Sequence, residues 1–164
     1  MSPPRWGWFD KASAALTGTL AAFVVGLAAV GGWHVLFPPA RWYELASVRV
    51  NDTFIGQDVT LTPARTIHRD FRGSYTVTVF RVGPDDRWTQ VCTGGLSVPY
   101  RTNSALPVPV TLDWWTAGAE PPCQEALGVG RFVLETCVNV GPFSLPWRDV
   151  CALSGVFKVK PRGL

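Results

Sequence analysis

Two hydrophobic rhythms divide the chain. From Ala12 to Phe37, "ASAALTGTLAAFVVGLAAVGGWHVLF", there is no Asp, Glu, Lys or Arg, and no polar stripe runs along the helical repeat. A helix apolar on all sides must meet lipid or be fully buried. At helical rise this stretch would reach about 39 Å, against a hydrocarbon core of roughly 30 Å. From Glu44 onward the period falls to two. "ELASVRV" sets Leu45, then Val48 and Val50, among polar neighbours, and "DVTLT" (Asp58 to Thr62) repeats the alternation. "SYTVTVFRV" (Ser74 to Val82) puts Tyr75, Val77 and Val79 on one face and Thr76, Thr78 and Phe80 on the other. "VGPDDRW" is turn chemistry, and "RWTQVC" (Arg87 to Cys92) returns as its hairpin partner. "VPVTLDW" (Val108 to Trp114), "GRFVLETCVNV" (Gly130 to Val140) and "VCALSGVFKVK" (Val150 to Lys160) complete seven short strands.

The predicted architecture is therefore one amino-terminal transmembrane α-helix followed by an all-β antiparallel sandwich of immunoglobulin or fibronectin-III shape, stapled by disulfides. No helix is expected between the strands. Residues 1–11 form a cytoplasmic amino terminus, 12–37 the membrane helix, 38–43 a linker and 44–164 the periplasmic sandwich. Trp6 and Trp8 before the span, and Trp33, Trp42 and Tyr43 after it, match interfacial aromatic belts. Pro38 and Pro39 end the helix. A cleaved leader would have a shorter apolar core and small residues at a cut site, whereas this segment closes in "WHVLFPP". Arg5, Lys11 and the amino terminus precede the span, so the expected orientation is amino terminus in the cytoplasm and the bulk across the inner membrane. Ala14, Gly18, Ala22 and Gly26 recur every four residues and would let a second helix approach one face.

The cysteines agree with export. Cys92, Cys123, Cys137 and Cys151 all follow the span, no two form a CxxC, and the later segment's one histidine is His68. Clustered ligands for zinc are missing from this pattern, so no metal or other cofactor is expected, and an even, dispersed set reads as two disulfides in an oxidising compartment. Cys137 and Cys151 flank the loop of a hairpin, which leaves Cys92 for Cys123. Against this, strict alternation puts Cys151 on the face of Leu153 and Phe157, and Cys137 on the face of Glu135 and Asn139. A bulge near Ser154-Gly155 would reconcile the two.

Charge excludes one class of partner. Charged residues make up 16% of the chain and net charge is +3; from Arg41 onward, 13 basic minus 11 acidic residues leaves +2. So weak and dispersed a balance does not suit nucleic acid. Two surfaces remain. In "LDWWTAGAEPPC", strand geometry would send Trp114 and Trp115 to opposite faces, one into the core and one partly exposed beneath the Cys123 loop or, in the functional reading, in a binding patch with Trp115 as the candidate contact. "ARTIHRDFRGSY" supplies Arg65, Arg69 and Arg72, which would face anionic headgroups or an acidic protein, or simply guard a sheet edge. Asp113 has no second carboxylate near it in sequence and His68 no nucleophile, so an enzyme is not expected. The expected role is an envelope protein that lies in the lipid bilayer and binds another, unidentified protein. The other reading is a ligand or cell-wall binding module that uses an exposed Trp115 or Trp88.

From Arg65 to Cys123, "RTIHRDFRGSYTVTVFRV", "VCTGG" and "LDWWTAG…C" resemble a loose group of small uncharacterised proteins encoded by proteobacteria and their phages. Those proteins carry one amino-terminal membrane helix and then a compact immunoglobulin-like β-sandwich. The resemblance implies a bacterial envelope or phage setting and supplies no catalytic residues.

Overall fold

Period-two segments dominate beyond the linker, and they pair as sheets. The structure, a computed structural model, describes residues 22–29, 32, 38–102, 104, 106, 109–140 and 148–162. The chain falls into two units, Met1–Pro38 and Pro39–Leu164. In the first, residues 22–29 are helical and exposed, Ala22 and Gly26 among them. Ala14, Gly18 and most of the expected membrane span lie outside the described residues. Among the described residues no helix is long and apolar enough to cross a membrane.

The second unit has nine described strands, where alternation alone predicts seven. A three-residue 3-10 turn, Pro39–Arg41, leads into β1 (Tyr43–Val50). There follow β2 (Thr53–Phe54), β3 (Thr60–Ile67), β4 (Phe71–Val82), β5 (Trp88–Tyr100), β6 (Val110–Thr111), β7 (Gly130–Asn139), β8 (Asp149–Leu153) and β9 (Phe157–Lys160). One sheet has the order β1-β3-β6; the other runs β2-β9-β7-β4-β5, with β8 also paired to β7. All pairs are antiparallel except β2 with β9. Both sheets contribute to one core: Tyr43, Leu45, Val48 and Leu61 from the smaller, Val77, Val79, Phe132, Leu134, Val138 and Phe157 from the larger. A single parallel bridge, Val48 to Ser154, links an edge of one sheet to the other.

Bulges explain where strict alternation breaks. In β1 the register shifts between Leu45 and Ser47, so the buried positions change from odd to even at Ala46. The segment from Val150 to Lys160 is two strands on one edge of β7, interrupted at Ser154 to Val156. Cys137 stands opposite Cys151, while Phe132 stands opposite Phe157, one residue out of step. Cys151 and Leu153 therefore face solvent while Phe157 and Val159 face the core. Ser154 secures the interruption: its hydroxyl accepts from the Leu134 N–H at 2.9 Å and donates to the Gly155 carbonyl at 2.8 Å.

Two short helical turns correct the all-strand expectation. Val108 lies outside the described residues, and the strand predicted to run on to Trp114 is only Val110–Thr111. The chain then coils into α1 (Leu112–Trp115), and a second single turn, α2 (Cys123–Ala126), precedes β7. The Asp113 carboxylate accepts the Gln124 N–H at 2.8 Å and thereby joins the two turns. Gln124 in turn accepts from Val59 N–H at 2.9 Å and donates to the Gln57 carbonyl at 2.8 Å. These contacts tie the α1–α2 segment to the start of β3.

Candidate functional site

A cleft forms where the smaller sheet stops short. β6 pairs with β3 only at Thr60 and Leu61. From Thr62 to Ile67 that side of β3 has no strand partner among the described residues, and the core-side face of β5 lines the gap. Leu96, Val98 and Tyr100 alternate along that face, and Tyr75 of β4 stands opposite Leu96. Arg65 of β3, Leu106, and the α1 residues Trp114 and Trp115 complete the walls of a cavity of about 390 Å³.

Its lining is aromatic at both ends. At one end Phe71 and Tyr100 stack at 4.6 Å with planes 2° apart, and Tyr43 meets Tyr100 edge-on at 5.4 Å. At the other, Trp115 stacks on Tyr75 at 5.7 Å and on Trp114 at 6.1 Å. Burial pushes the Tyr43 hydroxyl up to about 12, with the Arg65 guanidinium opposing the shift. Burial raises Tyr100 as well, Tyr43 adds to the effect, and Arg65 again opposes it. Tyr75 is raised by burial alone. All three hydroxyls stay protonated at neutral pH, so the guanidinium of Arg65 is the one formal charge lining the cleft. It lies over the Tyr100 ring at 5.7 Å from the centroid, a cation–π placement. Arg65 makes no ion pair among the described residues.

The two tryptophans reverse the expected roles. Trp115, the predicted surface contact, is 4% exposed, and its indole N–H donates to the buried Thr136 hydroxyl at 3.0 Å. Trp114 is 50% exposed at the cleft rim. The reason is local geometry. A helical turn advances about 100° per residue, so Leu112 and Trp115 share the inward side while Asp113 and Trp114 turn outward. The rings stack, which a strand would have forbidden. Trp88 is also half exposed, against Phe80 on a different part of β5.

Of the three predicted arginines, only Arg65 joins Trp115 in the cleft. Arg69, in the β3–β4 turn, lies over the Trp42 ring at 5.7 Å, and Arg72 is exposed on β4 opposite Pro99. His68 sits 3.6 Å from Glu44 on the surface, and Asp113 serves the α1–α2 junction. Among the described residues no three His, Cys, Asp or Glu side chains gather to hold a metal.

Cys92 is bonded to Cys123 and Cys137 to Cys151, as the spacing suggests. The first bridge is buried and holds α2, and with it α1, against β5; the second joins opposed residues on the exposed face of β7 and β8. Two glycines bring the α1 segment close. The Gly95 N–H donates to the Ala117 carbonyl at 2.8 Å, and a Cβ at Gly94 would collide with the Thr116 carbonyl. The expected strand stopped at Cys92, so Leu96, Val98 and Tyr100 of β5 were missed as site residues, with Gly94-Gly95 and Pro99 resembling strand breakers. The period of two through Leu96, Val98 and Tyr100 is the signal that would have found them.

No protein-family model matches the chain, and comparison with curated proteins and with solved structures gives no match either.

Proposed function

We propose that the chain is a non-catalytic, membrane-tethered protein of the bacterial envelope whose exported β-sandwich, immunoglobulin-like in shape, binds a partner polypeptide through the α1–β5 cleft. The observation that carries this reading is a concave aromatic site left open by the shorter sheet, with Leu96 and Trp114 each about half exposed at its edge (47% and 50%). Binding cavities for small ligands run from about 300 to 1,000 Å³, so this one has room for one or two side chains and little more. Interface energy concentrates on buried aromatic anchors and arginine, and both are present here. The uncharged stretch from Ala12 to Phe37 supports the tether, and two disulfides support an oxidising compartment. The phage or host origin implied by the resemblance belongs to the same proposal.

Site-specific photocrosslinking in intact cells tests it. A crosslinker at Leu96 should capture one defined protein, a crosslinker at the equally exposed Val129 should not, and Trp114→Ala should abolish the adduct without lowering the melting temperature. Equal capture from both positions, or an adduct indifferent to Trp114→Ala, would remove the cleft from the account. Retention on purified cell-wall material in place of protein capture would favour the glycan reading, for which Trp114 offers the exposed ring.

A further inference from the structure

The next step rests on the binding reading above and specifies its occupant. We infer that the cleft receives the carboxyl-terminal residue of a partner polypeptide, its apolar side chain among Tyr75, Leu96 and Trp114 and its free carboxylate at Arg65. Lining residues include Arg65 and no Asp or Glu, and Arg65 has no ion-pair partner among the described residues. A half-buried guanidinium facing an apolar space favours an occupant that brings one negative group, because hydrogen bonds between charged partners strengthen where water is excluded. The hydroxyls of Tyr43 and Tyr100, neutral at pH 7 as tyrosines ordinarily are and raised further by burial, add no competing charge.

Geometry selects a chain terminus over an internal acid. In an extended peptide, neighbouring side chains point to opposite faces, and residues two apart on one face stand about 7 Å from each other. An internal apolar–acidic pair would therefore send only one member into a cleft of about 390 Å³. A terminal residue carries its side chain and carboxylate on one Cα, which suits a small site with one apolar floor and one cation. The edge of β5 favours a polypeptide over a free acid. Gly95 directs its N–H outward to Ala117, so by alternation Ser97 turns its own amide and carbonyl to the same edge, where a peptide backbone can pair. Pro99, next in that series, has no N–H to offer and sits where a sheet edge tolerates proline.

The probe is N-acetyl-alanyl-alanyl-phenylalanine, as free acid and as carboxamide, added to the full-length chain in detergent micelles. The readout is the indole N–H resonances of Trp114 and Trp115, assigned by Phe substitution. The acid should bind roughly tenfold more tightly than the amide. Arg65→Gln should abolish that difference by bringing the affinity of the acid down to that of the amide, and Arg65→Lys should keep part of it. If acid and amide shift the resonances with equal affinity, the carboxylate assignment fails and the polypeptide site stands. If neither moves them, the cleft is not a polypeptide site and the reading beneath this one fails. Equally tight binding of 3-phenylpropanoate would overturn the commitment to a polypeptide. Should Arg65→Gln misfold, the acid–amide comparison on the unmodified protein decides alone.

Discussion

Removing the two disulfides one at a time should destabilise the sandwich by different amounts and in different places. The perturbations are Cys92→Ala with Cys123→Ala, and Cys137→Ala with Cys151→Ala, which avoid free thiols. Cys92 and Cys123 are 31 residues apart, Cys137 and Cys151 only 14. Loop-closure entropy then assigns about 3.7 kcal/mol to the first bridge and about 3.0 kcal/mol to the second. Burial widens the gap. Cys92 is 9% and Cys123 0% exposed, whereas Cys151 is exposed and Cys137 half-buried. Deleting each buried sulfur forfeits about 1 kcal/mol of packing more. The expected losses are thus about 6 and about 3 kcal/mol. In urea, with a slope of about 2 kcal/mol per molar, the midpoints of the two variants should differ by about 1.5 M. Hydrogen exchange adds the location. Loss of the first bridge should expose residues 112–126, since Cys123 anchors that segment to β5; loss of the second should loosen β8 alone. Equal midpoints, or a larger cost for the exposed bridge, would refute the argument from loop length and burial.

Three further outcomes follow from the same packing. Gly94→Ala drives a Cβ into the Thr116 carbonyl and should cost about 1–3 kcal/mol. Gly155→Ala meets nothing within 4 Å and should stay within about 0.5 kcal/mol, so urea midpoints of the pair check the close approach of α1 to β5. Thr136→Val keeps the shape but removes the acceptor of the Trp115 indole N–H; a buried donor left unpaired should cost about 1–3 kcal/mol, read as a lower melting temperature. Alkali should also unfold the sandwich. Because the folded Tyr43 hydroxyl is raised from 10.0 to about 12, the neutral form is the one the fold favours, and its contribution is complete below pH 10. That contribution, about 2–3 kcal/mol, is lost as pH rises from 10 through 12, with Tyr100 acting in the same direction. Tyrosinate absorbance and circular dichroism should change together in that window, and Tyr43→Phe should shift the transition to higher pH.

Sequence alone determined the features that depend on local repeats. The alternation of Tyr75, Val77 and Val79 against Thr76 and Thr78 fixed which face of β4 is core, and Val77 and Val79 are fully buried. The clash of faces between Cys137 and Cys151 pointed to the interruption at Ser154, whereas the β1 bulge between Leu45 and Ser47 was not expected. Charge-free composition from Ala12 to Phe37 is equally a local property, though most of that stretch lies beyond the described residues.

The cleft was decided by contacts distant in sequence. That Leu112 to Trp115 coil instead of extending follows from what surrounds them: Thr136 receiving the Trp115 indole, Asp113 meeting Gln124, and the Cys92–Cys123 bridge drawing the segment onto β5. No period along the chain encodes those partners, which lie 11 to 31 residues away. Tertiary pairing likewise chose Trp114 over Trp115 for the surface and, among the described residues, left Arg65 without a carboxylate. Alternation reports which side of a strand is buried; only the assembled sheets report where one ends before the other, and an opening is made by that difference in extent.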